Sequence, residues 1–138
     1  MGSKTDKAVE LFKSGVYCSP AVLVAFCEEY GMDVDTASKV SCGLNSGCRC
    51  AEICGALSGA ILVVGLKYGD RPEICNVKTE ELVKAFRDKH GDVTCKGILA
   101  CDISTPDGMD DAVSRNLFTT LCVDLVETAS SVLEEDGY

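Results

Sequence analysis

The segment from Ala51 to Tyr68 constrains the fold more than any other part of the chain, with Ile61-Leu62-Val63-Val64-Gly65-Leu66 at its heart. Its apolar run is too short to span a bilayer, so it has to be buried inside a domain. Gly55, Ala56, Gly59 and Ala60 recur at helical spacing and would let neighbouring backbones approach closely. The segment therefore reads as a core helix closed by Lys67 and Gly69, and the rest of the chain must wrap it.

What surrounds it also reads as helical. Lys4 to Lys13 sets Val9, Leu11 and Phe12 among charges and stops at Gly15. Ser19-Pro20 is a start signal for an apolar helix from Ala21 to Tyr30, closed by Gly31. A short helix is expected from Asp35 to about Ser41, then a glycine-spaced loop from Cys42 to Cys48. Beyond a loop through Pro72 and Cys75, Thr79 opens a helix to about His90, ended by Gly91. Cys95 to Cys101 is expected as a short helical turn, Ser104 to Gly108 as a turn, and Asn116 to Glu135 as a closing amphipathic helix. No alternating strand pattern occurs. The expectation is an all-α domain, an irregular bundle of five to six helices, spanning residues 1–138 as a single unit of ordinary domain size.

Sulfur is the second constraint. Ten cysteines occur in 138 residues, three of them in Cys48-Arg49-Cys50-Ala51-Glu52-Ile53-Cys54. A domain of this size buries enough apolar surface to fold without crosslinks. The charges of Met-Gly-Ser-Lys-Thr-Asp-Lys interrupt any signal-peptide core, so a cytoplasmic, reducing setting is expected. There, crowded thiols serve metal binding or catalysis more often than crosslinking. The formal net charge of -9 disfavours nucleic acid and anionic membrane as partners, which need clustered Lys and Arg. It suits a redox partner protein of complementary charge.

Helical spacing sorts the cysteines. Cys50 and Cys54 are four apart and share one face where the core helix is expected to begin, with Cys42 and Cys48 in the loop before it. Four thiols are thereby expected to converge locally, beside backbone N–H groups that stabilise anions. Cys18 precedes the next start signal, Ser19-Pro20. Cys95 and Cys101 are six apart, so their joint use requires a break near Gly97. Cys27 and Cys122 sit inside apolar helical patterns and read as core filling. Cys75 carries no clear signal. The spacings match neither paired zinc knuckles nor a ferredoxin run, and no Cys-x-x-Cys-His or thioredoxin-type Cys-x-x-Cys occurs. His90, the single histidine, reads as a cap for terminal carbonyls, which leaves hydrolytic triads without a base.

The chain resembles the redox-active proteins named for a Cys…CGAxxG…Cys…Cys signature. The residues that carry the resemblance are Cys54-Gly55-Ala56-Leu57-Ser58-Gly59, Cys18 with its following Ser-Pro-Ala-Val, and the ending Gly65-Leu66-Lys67-Tyr68-Gly69. A later pair aligns to Cys95 and Cys101. The resemblance implies a redox or metal-binding role, and a related region is similar to part of split-Soret cytochromes, which carry iron–sulfur chemistry. Relatives commonly have glycine-rich sequence where this chain has Cys42, Cys48 and Cys50.

The leading expectation, with its ligand set taken from that resemblance, is an iron–sulfur cluster bound by Cys18, Cys54, Cys95 and Cys101 that transfers electrons. Cys42, Cys48 and Cys50 would be alternative or additional ligands. A second reading is thiol–disulfide exchange, with Cys54 as a low-pKa nucleophile and Cys50 or Cys18 resolving the mixed disulfide. A third is a zinc-binding structural or metal-handling module. The face of Gly55 and Gly59 and the long final helix could also pack a homodimer.

Overall fold

The computed structural model describes residues 3–138 and is helical throughout, with no strand among those residues. The elements are α1 (Lys4–Lys13), α2 (Cys18–Cys27), α3 (Val34–Ser41), α4 (Gly55–Tyr68), α5 (Pro72–His90), α6 (Cys95–Leu99), α7 (Pro106–Ser114) and α8 (Leu121–Glu135). The described residues thus form eight α-helices where five to six were expected. Two account for the difference: Cys95–Leu99 closes as a helix of its own, and the turn expected at Ser104 to Gly108 opens α7. Thr105 caps that helix, its Oγ1 accepting from Gly108 N at 3.0 Å, and Pro106 occupies the first turn. Only Ala112 of α7 is buried, which is why no apolar period announced it.

Helices α2 and α4 form the centre and make the most extensive helix–helix contact in the molecule. Every residue of α2 from Ser19 to Cys27 is buried, so this helix is apolar on all sides and needs neighbours all round. Burying a side chain such as Leu23 or Phe26 contributes roughly 1.5–3 kcal/mol. In α4, Leu57, Val63 and Val64 are buried on the same core, with α1, α3, α5 and α8 packed outside. The approach of α4 to α2 depends on glycine. A Cβ at Gly59 would lie 2.6 Å from Ser19 O, and one at Gly55 would collide with Cys18 Sγ and stand 3.1 Å from Asn45 Cα. The spacing serves helix packing, with α4 set close against α2, as expected. No helix of the described residues is long and apolar enough to cross a membrane.

Several element boundaries move. The helix expected from Ala21 begins at Cys18, and Ser19 does not cap it: its Oγ donates to Ser41 O at 3.0 Å, tying α2 to the end of α3. The core helix expected from Ala51 begins at Gly55. Helix α5 begins at Pro72, so Cys75 lies in its first turn and packs against the main core. The closing helix begins at Leu121, after a short turn over Leu117–Thr119.

A second, smaller core gathers Ala51, Cys95, Leu99, Ile103 and Ala112, covered by Met109, Phe118 and Leu121. It belongs to α6, α7 and the approach to α8. The seam between the two cores is where the thiols meet.

Candidate redox site

Four thiols reach the seam from four separate helix starts. Cys18 is the first residue of α2, Cys54 stands immediately before α4, Cys95 opens α6, and Cys122 lies in the first turn of α8. All four line one cavity of about 510 Å³. Cys54 and Cys95 are only 3% and 7% exposed and form its floor, while Cys18 and Cys122 are half-buried. All ten cysteines are free thiols.

Cys54 and Cys95 are held together by the backbone. A single antiparallel bridge pairs Ile53 with Thr94: Cys54 N donates to Val93 O at 2.8 Å and Cys95 N donates to Glu52 O at 2.7 Å. An ion pair between Lys96 and Glu52 closes the same rung from outside. Asp92 fixes the incoming segment, its Oδ1 accepting from Val93 N at 2.6 Å, and Thr94 caps α6 through Gly97 N at 3.0 Å. Cys18 is located differently, by the absence of a side chain at Gly55, whose Cα faces its sulfur. The glycine beside Cys54 thus makes room for the sulfur of Cys18.

Burial governs the protonation of these thiols. Desolvation pushes Cys18 up to about 11, helped by neighbouring Cys54 and opposed by backbone N–H groups of Ser46, Ser19 and Cys18 itself. The hydrogen bond with Cys95 and burial hold Cys54 well above the ordinary thiol range, against N–H groups of Leu57 and Ala56. Burial, with Cys54, Cys18 and Cys101 nearby, pushes Cys122 up to about 12. The raised values keep Cys18, Cys54 and Cys122 protonated at pH 7 in the metal-free protein. The direction at Cys54 is opposite to the lowered pKa expected of an exchange nucleophile.

The local convergence expected around the Cys48–Cys54 segment does not occur. Cys42, Cys48 and Cys50 are exposed and lie off the cavity lining. The reason is backbone conformation: Ser46, Gly47, Cys48, Arg49 and Ala51 all have positive φ, so no right-handed helix carries Cys50 onto the face of Cys54. Gly47 faces the backbone of Glu52, whose N–H donates to Gly47 O at 3.0 Å. Cys101 is half-buried near Cys122 and packs on the smaller core, yet it does not line the cavity. Left-handed Ala100, at φ 55°, turns the chain away between Cys95 and Cys101. Cys122, read as core filling, is on the cavity. Its apolar neighbours concealed it, and the only sequence signal was its place at the start of the closing helix. Cys27 is core filling as expected, fully buried with Sγ 3.6 Å from Val24 O. His90 does not cap its helix; its Nε2 lies 2.8 Å from Thr128 Oγ1 on α8.

The family described as "Putative redox-active protein (C_GCAxxG_C_C)" matches residues 16–135. The chain belongs to this family. No curated protein and no solved structure matches it. The family description writes its small-residue block as Gly-Cys-Ala-x-x-Gly, and this chain has Cys54-Gly55-Ala56-Leu57-Ser58-Gly59, with the first two residues in the other order.

The donor chemistry of the cavity fits an iron–sulfur group: four thiols, no competing carboxylate or imidazole in the lining, and backbone N–H groups directed at Cys18 and Cys54. Among the described residues no three Cys, His, Asp or Glu side chains close on a single ion.

Proposed function

We propose that this redox-family protein holds an iron–sulfur cluster in the seam cavity and transfers electrons, with Cys18, Cys54, Cys95 and Cys122 as the thiolate ligands. The observation that supports this reading most strongly is the convergence of four thiols from four helix starts on one cavity. A bound cluster would supply one-electron chemistry. The chain's part is to position and tune it. The starts of α2, α4 and α8 direct partial positive charge toward the sulfurs, and donors at Cys18 and Cys54 raise the potential of any anionic group bound there. Binding releases protons from thiols whose pKa values are raised, so loading is favoured by higher pH.

Cys122 replaces Cys101 in the ligand set because Cys122 faces the cavity. Iron, zinc and acid-labile sulfide content, with a visible spectrum, of protein purified without oxygen tests the reading. The expected result is iron and sulfide in matching amounts with reducible absorption. Cys122→Ser should lose most of it, and Cys101→Ser should keep it. Metal-free protein that resists reconstitution, or loss on Cys101→Ser with retention on Cys122→Ser, would overturn the assignment.

A further inference from the structure

The cavity has a mouth as well as a floor. The thiols lie deep, while exposed Lys13, Tyr17 and Arg49 line the same space at the surface. Its volume of about 510 Å³ lies within the range of small-molecule pockets, and Leu99, Ile103 and Phe118 give it apolar walls. Arg49 is the unusual member. It sits in the left-handed turn with φ 62°, a conformation unfavourable for a residue with a side chain.

That guanidinium is pre-positioned by neutral groups. Its Nη1 donates to Asn45 Oδ1 at 2.9 Å and to Ser46 Oγ at 3.1 Å. Asn45 is itself buried, its Nδ2 donating to Cys42 O at 2.6 Å, so the support is rigid. In a chain with 22 acidic and 13 basic side chains, neither Arg49 nor Lys13 pairs with a carboxylate among the described residues. Lys7, Lys67, Arg87 and Lys89 also lack a carboxylate partner among the described residues, but of the unpaired cations only Arg49 and Lys13 line this cavity.

We propose that the seam cavity binds a small organic carboxylate, its carboxylate gripped by Arg49 at the mouth and its apolar body lying between the walls toward the thiols. A planar guanidinium matches a carboxylate by two parallel hydrogen bonds, and Lys13 adds a second positive charge. The apolar lining selects an organic anion over an inorganic one, which would leave those walls against water it could not displace. The proposal stands on the mouth of the cavity and does not depend on what the thiols hold.

Amide chemical shifts of the full chain, titrated with benzoate, benzyl alcohol or inorganic phosphate, test it. Benzoate is expected to shift Asn45, Arg49, Leu99 and Phe118 saturably, with benzyl alcohol at least about tenfold weaker. Arg49→Gln should lower benzoate affinity roughly tenfold or more, and Arg49→Lys should fall between. Unchanged amides in α2 establish that the variants are folded. Absence of saturable shifts in the wild-type chain, undiminished affinity in Arg49→Gln, or phosphate matching benzoate at the same amides would each overturn the proposal. Running the titration on metal-free and as-purified protein separates this result from the metal assignment.

Discussion

Cys18, Cys54, Cys95 and Cys122 line a cavity at the seam of two cores, whereas Cys42, Cys48 and Cys50 sit exposed on the connection leading to it. The exposed set is compact in sequence and the buried set spans more than a hundred positions. The fold reverses that ranking: helix starts bring the distant residues to one space, and a run of positive φ turns the near ones outward. Density of a residue type along a chain therefore says little about convergence unless the intervening backbone is regular.

The widest expected separation between the two regions is in thiol reactivity. In metal-free protein at pH 7, iodoacetamide followed by mass spectrometry should label Cys42, Cys48 and Cys50 at least about tenfold faster than Cys54 or Cys95, because the latter two are buried and the thiol of Cys54 is held well above the ordinary range. Uniform labelling would break the comparison. Cys18 should gain reactivity only as pH rises toward about 11. The same shift has a stability consequence. A raised pKa favours the neutral thiol in the fold, so its contribution is full below the ordinary value of 9.0 and is lost as pH rises through about 11.

A smaller effect sharpens the comparison through glycine. Gly55→Ala adds a methyl against Cys18 Sγ and should cost about 1–3 kcal/mol in denaturant unfolding, as overpacking does. Gly65→Ala, with nothing within 4 Å of its new Cβ, should stabilise the same helix by about 0.5–1 kcal/mol. Equal effects at the two positions would show that the close approach of α4 to the Cys18 sulfur is not what Gly55 provides.

The helical class, α1, the end of α5 at Gly91 and the role of the small residues in α4 were legible because each rests on local rules: apolar period, positive φ at a stop, and a missing Cβ. Cys18, Cys54 and Cys95 were legible as site candidates through motif resemblance. What was not legible depends on backbone states without a strong residue signature. Ser46, Cys48 and Arg49 adopt left-handed conformations that their residue types do not announce, and that moved Cys50 off the face of Cys54. Cys122 sits beside Leu121 and Val123 in a pattern that reads as core, and only the position of the second hydrophobic cluster makes it a cavity residue.

The most direct measurement is iron and sulfide content after anaerobic reconstitution of two variants: the triple replacement Cys42→Ser, Cys48→Ser, Cys50→Ser and the single replacement Cys54→Ser. The account predicts wild-type content in the triple variant and near-complete loss in the single one. Retention in Cys54→Ser with loss in the triple variant would contradict it and move the site to the loop.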